Sequence, residues 1–513
     1  MDQKLEGSIK EYSSLVQEFG RSCDSNAWQG TFLHTKDRFH SPFLKTYLIF
    51  KKTGKIESPF LSITNFLFIF LSKFIKWHYY LLRSLYLIIR ANQIWQRSLL
   101  SPVTGDINLI KSFYYDRSFK KNRFIDDFFP GLEDALRANN EEVITLVDPL
   151  NSPVASFKNL QSTQNVIPFY ILNNAFDLIS IYIEIIRSFF TPPTGSPIRG
   201  EYRFREIMVR QYRCDIFNPI LLQGLLLSKS MERLLKDYKI KRVYLTYENL
   251  NWEKSFIKTI KGKSPQTTII GFQHAVVPLS CTNYFLAKNE ENETPIPDTI
   301  ITNGSVTRNI MKKYGHYDKT PILIGAALRQ SHILTLPVLE RNHQKNILIA
   351  LEGNLESLAC VQLILSQIES LKGWKITIRN HPILPIEKCE KYLNVKFDSF
   401  PNISISKNTS LHDDIKNCAI ILYWGTTVSL EALAMGRPII HYHQGDLVNY
   451  DPVFELSTFK EVICRNDPLL PILNKYLNLS DTEYLEKSKI AIDYVNQYFY
   501  PVNKETIKKF TAL

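Results

Sequence analysis

The chain has 513 residues and a formal net charge of +12, from 62 Lys and Arg against 50 Asp and Glu. At roughly 100–200 residues per domain, this length calls for two or three domains. With 44% hydrophobic residues, 22% charged residues and 19 Gly, the composition excludes a largely disordered chain and a collagen-like or linker-rich one. The positive excess leaves nucleic acid, an anionic membrane surface and phosphate-bearing ligands open, and only the placement of the charge separates them.

Residues 1–57 show no strong period and read as an accessory segment. They open on MDQKLEGSIKEYSS, which lacks the apolar core of a signal peptide, so a cytoplasmic location is expected. Cysteines at 23, 214, 281, 360, 389, 418 and 464 show no CxxC or metal-type spacing, the pattern of reduced core thiols.

Residues 58–105 contain no Asp or Glu. The uncharged run 58–72 is shorter than the ~20 residues a spanning helix needs. Lys76, Arg83, Arg90 and Arg97 then recur every seven residues, which places them near one stripe of a helix. Leu81, Leu82, Leu85, Ile88 and Ile89 are expected on the opposite side, with Trp77, Tyr79, Tyr80, Tyr86 and Trp95 interleaved. Such a helix either lies in a lipid headgroup layer, at the inner face of the cytoplasmic membrane, or packs on its own domain with a basic solvent face. Residues 169–190 are interrupted by Asp177, Glu184 and Arg187 and read as a core helix.

Strand–helix alternation starts near residue 107. INLIKSFYY, EEVITLVDP, KRVYLTYE, TTIIGFQH, DTIITNG and PILIGAA read as strands, separated by helical stretches. After a polar linker, 329–344, the alternation resumes with KNILIAL, WKITIRNHP, NISIS, AIILYW and RPIIHYH. The expected class is α/β: a Rossmann-like domain over 106–328, a second over 345–480, a cleft between them, and C-terminal helices over 481–513. In open parallel sheets, ligands sit beyond the carboxyl ends of the strands.

Three groups of residues lie at such ends. Gly425-Thr426-Thr427 joins a strand to a helix, so backbone N–H groups and both hydroxyls could meet a phosphate there, with Glu431 one turn along to reach a ribose. A helix cap with a first-turn acid explains the same residues. Arg379-Asn380-His381-Pro382 ends another strand, and Arg379 and His381 could bind a second phosphate oxygen. Gly353, in the turn Glu352-Gly353-Asn354, allows close backbone approach, or is a plain turn. In the first domain, Glu248 ends KRVYLTYE and His274 ends TTIIGFQH. Either could be a general base, Glu248 after a pKa rise by burial; otherwise they are a helix-cap acid and a hydrogen-bonded loop residue, with Glu253 a surface charge. Asn303-Gly304 and Arg329 flank the expected cleft.

Two Rossmann units with GTTVSLEALA, a His-Pro loop, YENLNWEKSFI, GFQHAVVP, PDTIITNG and IGAALR resemble the GT-B glycosyltransferase fold. Over about residues 106–480 the chain is similar to the bacterial surface carbohydrate biosynthesis protein family. The His-Pro and hydroxyl pair also recurs in sialyltransferases, Kdo transferases and teichoic-acid glycerophosphotransferases, which use CMP- or CDP-linked donors. By that resemblance, His381, Pro382, Thr426 and Thr427 are donor contacts, and His274 stands where the glycerophosphotransferases place a catalytic histidine. Arg379 replaces the usual lysine of the loop, and the acidic-acidic-Gly motif of sialyltransferases is absent, with Glu248 and Glu253 in its stead.

The resulting expectation is a metal-independent glycosyltransferase without a resident cofactor. It would move a sugar from a nucleotide donor, CMP-linked in preference to a UDP-hexose or CDP-glycerol, to a lipid-linked or polysaccharide precursor of lipopolysaccharide or capsule. Glu248 would be the base. A nucleotide-sugar 2-epimerase and a non-catalytic assembly factor are the rivals. No zinc spacing, RNP-type motif or helix-turn-helix points to nucleic acid, and no Walker or GxGxxG loop is present.

Overall fold

The computed structural model describes residues 2–512 apart from 22, 24, 96–104, 162, 164, 196–201 and 446. Arg97, the last member of the basic repeat, lies outside the described residues. The chain begins with four helices, α1 (Asp2–Gly20), α2 (Asn26–Gln29), α3 (Pro42–Thr53) and α4 (Ile63–Ile94). The first sheet is built from β1 (Asp106–Tyr114), β4 (Glu142–Pro149), β5 (Val166–Pro168), β6 (Lys239–Thr246), β7 (Thr268–Gln273), β8 (Thr299–Thr302) and β9 (Ile322–Ile324). A hairpin of β2 (Phe119–Lys120) and β3 (Arg123–Phe124) interrupts it. The second sheet holds β10 (Asn346–Ala350), β11 (Lys375–Arg379), β12 (Ile403–Ile405), β13 (Ile420–Tyr423), β14 (Ile439–His443) and β15 (Lys460–Cys464).

Strand order is 5-4-1-6-7-8-9 in the first sheet and 12-11-10-13-14-15 in the second, with parallel pairings throughout. Such strands are covered by helices on both faces, which is why IILY and ILIA are apolar at consecutive positions and not at alternate ones. Both sheets reverse direction of winding once, between β1 and β6 in the first and between β10 and β13 in the second. Loops leaving neighbouring strands part at such a switch point and open a crevice at the carboxyl ends. The two parallel sheets and their flanking helices form two Rossmann-like α/β domains, as expected from the sequence.

The C-terminal helices are not a separate appendage. After the helix Asp481–Tyr498 the chain returns to the first domain, where Ala327 N–H donates to Tyr500 O (2.9 Å) and Tyr244 Oη to Phe510 O (2.9 Å). Phe510 is fully buried among Phe272, Ile301 and Leu328. Asn303-Gly304 belongs to this contact: Gly304 is pressed so close to the carbonyls of Gln497 and Tyr498 that a Cβ would lie 2.4 Å from each.

The helix α4 corrects the reading of its two faces. Trp77, Ser84, Leu87, Ile88 and Ala91 point into the first domain, and Trp95 just beyond is 4% exposed, so neither tryptophan is interfacial. The outward side is apolar, not basic: Leu67, Phe68, Leu71, Ile75, Leu82 and Ile89 are 48–76% exposed, with Tyr79 and Tyr86 between them. Residues three and four apart share a helix face, so these positions form one ridge along most of the helix. Lys76 and Arg83 stand on its flank beside a cavity. Residues 169–190 split into a buried turn, Phe169–Leu172, and a helix, Ala175–Phe190. That helix buries Leu178, Ile181 and Ile185 but exposes Phe176, Ile179, Ile183 and Phe190. Among the described residues no helix is long and apolar enough to cross a membrane.

Candidate functional site

The two switch points hold the residues of interest. Past β6 the chain runs through Tyr247 and Glu248 to Asn249, whose φ of 58° is tolerated by asparagine, and turns into the helix Asn251–Lys263. Glu253 is 1% exposed, so it is not the surface charge expected of it. Its carboxylate accepts from the backbone N–H of Glu248 (3.0 and 3.1 Å) and of Leu250 (2.9 Å), which fixes the turn and aims the Glu248 side chain outward.

Glu248 Oε1 lies 3.3 Å from His274 Nε2, at the end of the neighbouring β7, so the fold brings the two sequence candidates into one pair. The Glu248 side chain is 30% exposed and that of His274 6%. Burial raises the pKa of Glu248, while the guanidinium groups of Arg38 and Arg329 pull it back down. Burial, with Arg329 adding to it, lowers that of His274 to about 3. The imidazole is therefore neutral near pH 7, and toward an ionised Glu248 its Nε2 carries the proton. In that form His274 can donate from Nε2 to the Glu248 carboxylate.

Arg38 is a candidate that the sequence pattern did not single out. It comes from the segment between α2 and α3, donates to Ser280 Oγ and Cys281 Sγ, and stacks over Phe39 (4.5 Å) and Tyr450 (5.6 Å). It is within electrostatic reach of the carboxylates of Glu248 in the first domain and Glu352 in the second. The run HTKDRFH (34–40), dense in charge and imidazole inside an otherwise unpatterned segment, was the available signal. Arg329, a secondary candidate, lies over Phe128 (4.6 Å) and within charge reach of Glu248 and His274.

On the opposite side, Glu352-Gly353 follows β10 and Gly425 follows β13, at the second switch point. A Cβ on Gly353 would lie 3.2 Å from His381 Nδ1 and 2.5 Å from the Ile383 side chain, so the loop carrying these two residues folds closely over the glycine. His381 Nδ1 accepts from Ile383 N–H (3.3 Å), which leaves Nε2 as the donor, and burial lowers its pKa. Pro382 is exposed beside it. Gly425 packs on Tyr450, which stacks on Trp424 with ring centres 4.2 Å apart.

Other second-domain candidates are held differently from the expectation. Arg379 Nη1 is bound to Asp414 (2.5 Å), Ser406 Oγ and Thr409 O, so this end of the guanidinium braces the loop after β12. Thr426 is 6% exposed and its hydroxyl accepts from Val428 N–H (3.4 Å). Thr427 begins the short helix Val428–Ala434 without a side-chain cap, and Glu431 Oε2 is paired with His412 Nε2 (3.2 Å). The structure thus gathers Glu248, His274, Arg38, Gly353, His381 and Gly425 around the two switch points. It leaves Arg379, Thr426 and Glu431 in local contacts.

No family model matches the chain, and no curated protein matches it in sequence. Among solved structures it is similar to the UDP-GlcNAc 2-epimerase of Methanocaldococcus jannaschii in complex with UDP-GlcNAc and UDP, at 12% identity and a TM-score of 0.38, over 79% of this chain and 99% of that one. It is similar to the glycosyltransferase SnogD from Streptomyces nogalater, at 14% identity and a TM-score of 0.41, over 80% and 100%. It is also similar to MurG of Acinetobacter baumannii, at 10% identity and a TM-score of 0.39, over 80% and 99%. The architecture itself rests on the strand order of the two sheets.

Proposed function

We propose that the protein is a glycosyltransferase that takes a sugar from a nucleotide donor held by the second domain to an acceptor hydroxyl held by the first. The observation that carries this reading is the Glu248–His274 pair at one switch point, joined through Arg38 to the Glu352–Gly425 edge of the other. In this reading the carboxylate of Glu248 removes the proton of the acceptor hydroxyl as its oxygen attacks the anomeric carbon. The bond from that carbon to the donor phosphate breaks, and the nucleotide leaves with the electron pair. His274 Nε2–H holds the carboxylate in position, and its low pKa keeps it from competing for the proton. His381 Nε2–H and the backbone around Gly425 donate to the leaving phosphate.

The donor is proposed to be CMP-linked, on the resemblance of the His-Pro loop and hydroxyl pair, ahead of a UDP-hexose or CDP-glycerol. The acceptor is proposed to be a lipid-linked precursor of a surface polysaccharide, reached at the inner membrane surface. Incubation with CMP-, UDP-, GDP- and CDP-sugars, with and without membrane extract, tests the reading through release of free nucleotide. Nucleotide release that depends on the extract is expected. Interconversion of a donor without any acceptor would replace this reading by the 2-epimerase, and no turnover of any donor with extract present would leave an assembly factor.

A further inference from the structure

A cavity of about 760 Å³ lies between α4, the start of α3, the end of β4 and the start of the helix Pro219–Asp237, in the range of sites that enclose small ligands. Its wall is sharply divided by chemistry. Lys73, Lys76, Arg83 and His40 supply the charge, and no Asp or Glu is among its lining residues. Phe60, Ile69, Phe217 and Leu222 supply an apolar floor. Lys73 is bound to the buried carboxylate of Asp215 (3.1 Å), and His40 to Asp37 (2.9 Å). Lys76 and Arg83 have no carboxylate within ion-pair distance among the described residues; Arg83 lies near the ring of Tyr80. Two cations left without counter-charge beside an apolar floor call for an anion with an apolar part.

The outward ridge of α4 runs alongside the cavity. Tyr79, 62% exposed, belongs to both, and Lys76 stands at the same edge. Monomeric soluble proteins rarely expose a contiguous apolar strip of this length, and residues 58–105 carry no acid that would repel an anionic surface. A second copy of the chain would cover the ridge but would bring cations against the cavity's own. A phosphate-bearing lipid covers both.

We propose that this cavity binds the phosphate or diphosphate headgroup of a lipid, with Lys76 and Arg83 on the phosphate oxygens and the acyl or prenyl part lying along the α4 ridge. The cavity opens at the carboxyl end of β4, and the segment Phe32–Pro42 that forms part of its wall also carries Arg38 into the cleft. That the bound lipid is the acceptor rests on the transferase reading; that a lipid binds does not.

The test uses the full chain, with no sugar donor, and vesicles of phosphatidylcholine alone or with 20 mol% phosphatidic acid (about one lipid in five, enough to give an anionic surface). Wild type is expected to co-sediment with the phosphatidic acid vesicles. The double variant Lys76→Gln/Arg83→Gln should bind them at least about tenfold less, and Leu71→Ser/Leu82→Ser should also lose binding to them. Circular dichroism and melting curves check that both variants fold; the substituted sites are exposed or half-buried. Inorganic pyrophosphate alone should weaken vesicle binding only at high concentration. Wild-type partition of the Lys76/Arg83 variant would overturn the proposal. Tight pyrophosphate binding that ignores Leu71 and Leu82 would mean a site for a free anion, and a dimer dissolved by Leu71→Ser/Leu82→Ser would mean a self-interface. Because no donor is present, these results stand apart from success or failure of the transfer assay.

Discussion

The position of Arg38 depends on a buried ion pair two residues away, and breaking that pair gives the most quantitative prediction. Lys36 is wholly buried, and its ammonium donates to Glu290 Oε2 at 2.6 Å and to Phe285 O at 3.1 Å. Glu290 is 3% exposed and also accepts from Ala287 N–H at 2.6 Å. Glu290→Leu leaves the ammonium buried with a single carbonyl, and losing one partner of a buried pair costs about 3–5 kcal/mol. The lysine can escape by giving up its proton, which at pH 7 costs about 4.6 kcal/mol for a group of ordinary pKa, so the penalty has a ceiling near that value. Urea unfolding read by tryptophan fluorescence checks it, since Trp28 is 2% exposed and its ring lies 4.9 Å from that of His34 in the same segment. Trypsin sensitivity of residues 31–41 should rise in parallel, and activity should fall with the misplacement of Arg38. Lys36→Met/Glu290→Leu, which makes the site apolar, should recover most of the loss. A single variant with the wild-type midpoint, or a double variant no more stable than the single, would refute the reasoning.

Arg38→Met removes a cation that holds the pKa of Glu248 down, so the acid limb of kcat/KM should move to higher pH; a limb that stays put or moves down contradicts the link. His381→Ala should raise the KM for the donor about tenfold or more with a smaller change in kcat, as measured by steady-state kinetics on the best donor. Lys111, buried between Phe113 (3.4 Å) and Trp252 (4.3 Å), has its pKa lowered to about 8. Because the folded value lies below the unfolded one, stability should rise with pH between about 8 and 10.4. Lys111→Met should remove that slope and gain up to about 3 kcal/mol at pH 7 in urea unfolding, the cost of holding the ammonium at about 8.

Much of the architecture was legible because buried parallel strands are continuous apolar runs bounded by polar turns, and the alternation with helices is regular. Glu248 and His274 were legible as strand-end residues of one domain, but their pairing was not, since it depends on β6 and β7 being neighbours in the sheet. Arg38 was not legible, since it is about 210 residues from Glu248 in sequence and reaches the cleft from a segment without a period. The bond from Arg379 to Asp414 was hidden because it joins a strand end to a helix whose relative placement only the fold sets. In α4 the seven-residue repeat placed Lys76 and Arg83 on one flank but could not say which side of the helix faced the domain. Hydrophobic residues lie on both sides of it, and only packing separates Leu87 and Ile88, inside, from Leu82 and Ile89, outside.

The central claim is that Glu248 takes the acceptor proton while the second domain holds the donor. Glu248→Gln tests it most directly, with donor affinity measured by calorimetry and nucleotide release measured at saturating donor and acceptor. The account predicts donor affinity within about twofold of wild type and turnover lower by about 10²–10⁴, the contribution of a positioned general base. Unchanged turnover, or loss of donor binding in step with turnover, would contradict it.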